Sequence, residues 1–235
     1  MRLALWTPRA GGGWVGAVAK HLARESVLVV VEAEPAAAVP ADVHVYDVAD
    51  DPAHGHVYRA LLRRAGVVVL EDWCLHRLVH AETAGRGDTA AYRREARLGG
   101  GESGTFVADQ VLAGRGGALP SLVGWNERVL AAALALGTTS EAVAARARAR
   151  LGSRPVVRLA ADDAGEAARG LLSLARAVAR EGERLLRESR QDRAPEGTLL
   201  ALALDEVRPA ALALGLPGVP ADVRRLAAEL LPEER

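Results

Sequence analysis

Short apolar runs alternate with longer amphipathic stretches along the first two thirds of the chain, and that alternation predicts an α/β fold. Strands are expected at 2–6, 27–31, 43–46 and 67–70. A further apolar run ends at Thr138-Thr139, and a last strand is expected at 155–159. The run Val27-Leu28-Val29-Val30-Val31 has no polar position, which predicts a strand buried on both faces. Helical spacing fills the intervals at 14–24, 52–64, 73–84, 89–98 and 122–133. Pro52 sits where a helix start tolerates proline, and Gly66 is read as the stop of that helix. Gly99-Gly100-Gly101 reads as a break, and Ser140-Glu141 as the start of the helix EAVAARARARL. Together these elements predict a doubly wound, Rossmann-like parallel sheet with helices on both faces over residues 1–160.

From Ala160 onward the strand pattern stops. Leu171, Leu174, Val178 and Leu185 form one apolar stripe on a long helix expected at 163–189. Pro195-Glu196-Gly197 breaks the chain. A helix at 199–214 containing Pro209 follows, then a last one on which Val223, Leu226 and Leu230 share a face. Residues 161–235 are therefore expected to be an all-helical appendage, either packed on the sheet domain or mediating homo-oligomerisation.

Composition narrows the function classes. Thirty basic and thirty acidic residues balance to a net charge of +0, so electrostatics gives no reason to expect nucleic acid or an anionic membrane as partner. Cys74 is the one cysteine, which rules out an internal disulfide. The N-terminus lacks the apolar core of a signal peptide, and no apolar stretch is long enough to span a bilayer, so a cytoplasmic protein is expected. Lys20 is the sole lysine among the basic residues. That skew reads as the codon bias of a GC-rich genome and weakens any argument from arginine-rich stretches.

Two regions carry candidate chemistry. Gly11, Gly12 and Gly13 follow the first strand and run into a helix, a place where backbone N–H groups cradle a phosphate. They do not form a GxGxxG fingerprint, Glu32 and Glu34 are the nearest acids for a ribose, and a plain surface turn is the other reading. The second region places Asp50, Asp51 and His54 after the third strand, and Glu71, Asp72 and His76 after the fourth. In a parallel sheet both sets fall on the carboxyl edge, and carboxylates with imidazoles on one rim suit hydroxyl binding and proton transfer. Asp50 and Asp51 are equally suited to capping the helix at Pro52. His76 and His80 lie four apart, but no third ligand is spaced to complete a metal site, so no metal or other cofactor is assigned. His44, within a strand, and His21 read as structural.

The stretch ADDPAHGHVYRALLRRAGVVVLEDWCLHRLVH, residues 49–80, resembles the N-terminal half of GT-B glycosyltransferases of the family-4, "group 1" bacterial type. Thr7-Pro8-Arg9-Ala10-Gly11-Gly12 stands in the place of that family's first loop. Leu119-Pro120, Asn126-Glu127-Arg128-Val129, Thr139-Ser140-Glu141 and Pro155-Val156-Val157 follow in the same order. The resemblance covers about residues 1–160 and implies the acceptor-side domain of a retaining, nucleotide-sugar-dependent transferase. It implies that Gly11, Gly12 and Gly13 face donor phosphates and that Asp50, Asp51 and His54 contact substrate. Asp72 and His76 would line the acceptor pocket, with Glu71 nearest the reacting carbon. Glu71 stands where the family usually has histidine, which reverses the local charge. The family's donor domain with its Glu-x7-Glu motif has no counterpart: Glu188 and Glu196 have the spacing but lie in ESRQDRAPE, without flanking glycines or strands. The expectation is half of a split sugar transferase, inactive alone, whose partner chain supplies the donor domain. A non-catalytic binding or scaffolding module of the same descent is the alternative, and a small nucleotide-binding enzyme using the glycine loop is a third.

Overall fold

A computed structural model describes residues 1–8 and 13–191, which fall into two compact units, 1–73 with 128–191 and 74–127. The chain runs β1 (Arg2–Trp6), α1 (Gly13–Glu25), β2 (Val27–Val31), β3 (Val43–Val48), α2 (Gly55–Arg63) and β4 (Gly66–Leu70). It then forms α3 (His76–Glu82) and α4 (Thr89–Leu112) of the second unit. α5 (Glu127–Ala132), β5 (Ala133–Thr138), α6 (Glu141–Leu151), β6 (Val156–Arg158) and α7 (Ala164–Gln191) complete the first. The helices expected beyond residue 191, at 199–214 and around Val223 to Leu230, lie outside the described residues.

In the first unit all strand pairs are parallel, in the order β2-β1-β3-β4-β5-β6. This is the doubly wound, Rossmann-like sheet that the alternation predicts. Side chains alternate between its faces. Leu3, Leu5, Val43, Val45, Val67 and Val69 join Val18 and Leu22 of α1 and Leu171, Leu174 and Val178 of α7 in one buried cluster. The stripe on α7 is thus core: Leu171 and Leu174 are each 2% exposed. On the other face α2 packs on β3, burying Val57 and Leu61.

The apolar run at 27–31 is a strand but is not buried on both faces. β2 pairs only with β1 and forms the edge of the sheet, and Val27 and Val30 are exposed. An edge position leaves one flank of even an all-apolar strand in solvent, which residue type does not reveal. Two other boundaries move. Pro52–His54 is a 3-10 turn capped by Asp51 rather than the first turn of α2. α2 ends at Arg63 because Arg64 is extended, so Gly66 is not its stop. Gly66 opens β4 instead, where a Cβ would lie 2.4 Å from the His44 carbonyl oxygen.

The second unit departs more from its pattern. The helix expected at 73–84 starts only at His76, and the one expected at 122–133 is a 3-10 turn at Leu119–Leu122 followed by α5. The glycines at 99–101 do not end a helix at 98. α4 continues to Leu112 across a kink at Gly101, whose φ of 57° favours glycine. Beyond the kink the turns close so tightly that a Cβ on Gly104 would lie within 3 Å of the Ala96 carbonyl.

His44 in β3 is a structural histidine with a measurable consequence. Its Nδ1 accepts the Trp6 indole N–H at 2.9 Å, and the ring is 4% exposed. Burial first, and then the Arg64 charge, push its pKa down to about 4. Between pH 6.5 and 4 the unfolded chain binds a proton that the folded state refuses, so stability should fall as pH drops through that window. We expect the wild-type urea midpoint to decline from pH 6.5 to 5, and His44→Gln to flatten the slope by up to about 1.4 kcal/mol per pH unit. Equal slopes for the two proteins would refute the assignment.

Candidate functional site

In the first unit β1 feeds β2 on one side, while β3 returns on the other side of β1. The strand order thus reverses at β1, and in doubly wound sheets ligands bind at such a switch point, at the carboxyl ends of the strands. Thr7 follows β1 directly. Asp47 is the penultimate residue of β3, and residues 49–54 connect β3 to α2. Glu71 and Asp72 leave β4.

Asp47 is the centre of this rim. It is 4% exposed, and its Oδ2 accepts the Thr7 hydroxyl at 2.8 Å. His54 Nε2 lies 3.7 Å from the same oxygen. Asp47 Oδ1 and His54 Nδ1 are both shielded from solvent and have no hydrogen-bond partner among the described residues. Burial alone would pull the His54 pKa down. The Asp47 carboxylate, and after it Glu71 and Asp51, outweigh burial and hold the imidazole above its ordinary value. Glu71 shifts upward as well, through partial burial, then the negative charge of Asp47 against the opposing pull of His54, with Asp72 adding to the rise. The result is an imidazole and a carboxyl that both retain protons more tightly than in water, beside a buried carboxylate.

The other predicted residues have structural duties at this rim. Asp51 Oδ1 accepts the Ala53 N–H at 2.8 Å, which is the capping arrangement. Asp72 Oδ2 accepts the Asp50 N–H at 2.9 Å, and the Glu71 N–H reaches the Val48 carbonyl at 3.0 Å, so the loops after β3 and β4 are laced together. Glu34, after β2, is engaged by Arg59 and Arg63 of α2, and those arginines hold its pKa down. Gly11 and Gly12 lie outside the described residues, and Gly13 is the first residue of α1.

His76 belongs to the second unit. Its Nε2 lies 2.8 Å from the Tyr92 hydroxyl, and its ring packs 5.1 Å from that of Trp125, which stacks on Tyr92 at 4.8 Å. Trp125 has a φ of 57°, a conformation uncommon for a bulky residue. Burial, with a smaller contribution from His80, lowers the His76 pKa to about 4. Among the described residues no group of three or more histidine, cysteine or acidic side chains is placed to hold a metal ion. No helix among them is long and apolar enough to cross a membrane.

No family model, curated protein or solved structure matches this chain. The case for function therefore rests on the rim.

Sequence reasoning passed over Asp47 and Thr7. The available signal was an acid next to the last residue of the strand VHVYDV, whose other positions are apolar or aromatic apart from His44. A buried carboxylate needs partners, and in a parallel sheet its place at the carboxyl end points those partners to the rim.

Proposed function

We propose that the rim around Asp47, His54 and Glu71 binds a hydroxyl-rich, sugar-like molecule, and that the chain is the acceptor-side part of a bacterial, cytoplasmic glycosyl-transferring assembly. In this reading a partner chain holds the nucleotide-sugar. The observation that carries it is the Asp47–His54 pair, with one unpartnered polar atom on each residue at the carboxyl edge of the sheet. With the imidazole proton on Nε2 both atoms are acceptors, and two neighbouring sugar hydroxyls supply one O–H to each. The resemblance over residues 49–80 supplies the reaction class.

The chemistry assigns distinct roles. Neutral His54 takes the proton of the acceptor hydroxyl on Nδ1 while its Nε2–H faces Asp47, which stabilises the imidazolium that forms. The acceptor oxygen then bonds to the anomeric carbon as the bond to the nucleoside diphosphate breaks. Glu71, its pKa raised by partial burial and by the Asp47 charge, stands beside the sugar as a hydrogen-bonding carboxyl group.

Saturation-transfer NMR of the intact chain with a panel of mono- and disaccharides tests the binding half of this reading, and isothermal titration with UDP, GDP and nucleotide-sugars tests the donor side. We expect at least one saccharide to receive saturation and to lose it in His54→Leu. Micromolar nucleotide binding would add the glycine loop as a donor contact. Silence from every saccharide would overturn the proposal.

A further inference from the structure

The rim collects negative charge. Asp51, Glu71 and Asp72 reach the surface there, with Asp47 behind them at 4% exposed. Asp47 sets this cluster apart from a solvated acidic face. Its carboxylate is out of water, and Oδ1 has no hydrogen-bond partner among the described residues. The basic side chain it meets is His54, 3.7 Å from Oδ2.

The field at the rim has one sign. At His54 burial opposes the imidazolium, and Asp47, Glu71 and Asp51 all favour it. At Glu71 burial raises the pKa, Asp47 adds to the rise, His54 opposes it, and Asp72 adds again. None of the charges acting on these two groups is an arginine or a lysine. Arg59 and Arg63 are engaged with Glu34 after β2. Arg146 of α6 lies over the Trp73 ring, 5.8 Å from its centroid.

A metal ion or an ammonium group on a ligand could answer such a field. A metal ion draws its ligands to within about 2.0–2.6 Å of one point. Among the described residues no three histidine, cysteine or acidic side chains converge in that way. An ammonium group has three donors and no acceptor, so carboxylates spread along a rim can share it. Two of the surface acids keep acceptors for it. Asp72 gives Oδ2 to the Asp50 N–H and retains Oδ1, and the Glu71 carboxyl has no hydrogen bond or ion pair among the described residues.

We propose that the sugar bound at this rim is an amino sugar, whose ammonium group pairs with the Glu71 and Asp72 carboxylates while its hydroxyls meet Asp47 and His54. This rests on the saccharide site proposed above and adds the charge class of its ligand. The same field disfavours a sugar phosphate, whose negative charge would face Asp47, Glu71 and Asp72.

Two pairs of probes separate charge from shape: glucosamine against N-acetylglucosamine, and 6-amino-6-deoxyglucose against glucose. Glucose 6-phosphate is the anionic control. Each is titrated into the intact chain by calorimetry near neutral pH and at low salt, where the amines carry their protons and screening is weak. At least one amino sugar is expected to bind about tenfold tighter than its neutral counterpart, the effect of one charge-assisted contact. That preference should shrink at about 0.3 M salt, because charges near the surface are screened there. Glu71→Gln combined with Asp72→Asn keeps size and leaves an amide oxygen for the Asp50 N–H. With its fold checked by circular dichroism, this variant should bring each pair to within about twofold. Equal binding within both pairs, or a preference that survives in the double variant, overturns the amino-sugar assignment and leaves the saccharide site standing. Tighter binding of glucose 6-phosphate than of glucose does the same. If no saccharide binds, the site itself falls, and this inference with it.

Discussion

Replacing Leu171 and Leu174 together with alanine should remove most of the folding stability of the sheet unit. Both residues are 2% exposed and sit in one cluster with Leu3, Leu5, Val43, Val67 and the α1 residues Val18 and Leu22. α7 is the layer that closes this face of the sheet, packing on α1, β3, β4, β5 and β6. Each truncation is expected to cost about 2–5 kcal/mol, because the cavity left under a helix lying on a rigid sheet collapses only partly. The two sites share neighbours, so the sum will fall short of additivity. A combined loss of about 4–8 kcal/mol is comparable with the whole stability of a typical domain, about 5–15 kcal/mol. Urea unfolding followed by circular dichroism measures it. Arg176→Ala on the same helix is the control. Its contact with Glu25 is a 3.8 Å surface pair between side chains that are each at least half exposed, so the midpoint should hardly move. If the double variant unfolds within 1 kcal/mol of wild type, a limit well below either single truncation, α7 is peripheral. By the same logic, ending the chain after Ala160 should give a molten or insoluble protein.

The second large effect is expected at Asp47. In Asp47→Leu the Thr7 hydroxyl and the His54 imidazole lose a common acceptor in a buried place, which should cost about 1–3 kcal/mol of stability. Saccharide saturation transfer should disappear with it. Asp47→Asn separates charge from shape, since an amide oxygen still accepts from Thr7. Removing the carboxylate leaves burial, which lowers the His54 pKa, opposed only by Glu71 and Asp51. Proton NMR of the His54 ring across a pH series should therefore show its midpoint move down in Asp47→Asn. A midpoint that stays put would show that the two groups are not coupled, and the proton-accepting role of His54 would fall with it. The stability effect has a definite sign. A raised imidazole pKa contributes stability that is full below the ordinary value near 6.5 and is lost as pH rises through the folded value. Asp47→Asn should thus be more destabilising at pH 6 than at pH 9.

Much of the architecture is legible in the chain. The runs RLALW and VLVVV give strands with the expected ends, and the run after Gly66 gives another, because continuous β-branched and apolar stretches have few other uses. EAVAARARARL forms a helix over its whole length behind the Ser140 cap. The Leu171/Leu174/Val178/Leu185 stripe identifies α7 by period alone. Boundaries were poorest at 73–133, where glycine-rich α4 bends instead of breaking and Trp125 adopts a positive φ. Such conformations are imposed by packing within that unit, and no local preference announces them.

The candidate site divides in the same way. His54, Glu71 and Asp72 were visible as polar residues following apolar strands, and the parallel sheet brings them to one rim as spacing implies. Asp47 was not visible, because an acid directly after the expected end of a strand reads as the start of a loop until pairing with β4 extends β3 through Val48. His76 sits at motif spacing from Glu71 yet belongs to a separate compact unit, where its imidazole meets Tyr92. The exposure of β2 also comes from strand order, with β2 on the outside of β1. Residue pattern by itself determined which segments are strands and helices and which faces are apolar, because those depend on local periodicity. Tertiary structure decided which strand stands at the edge, which carboxylate is buried and which histidine it meets, because these depend on pairing between segments distant in sequence.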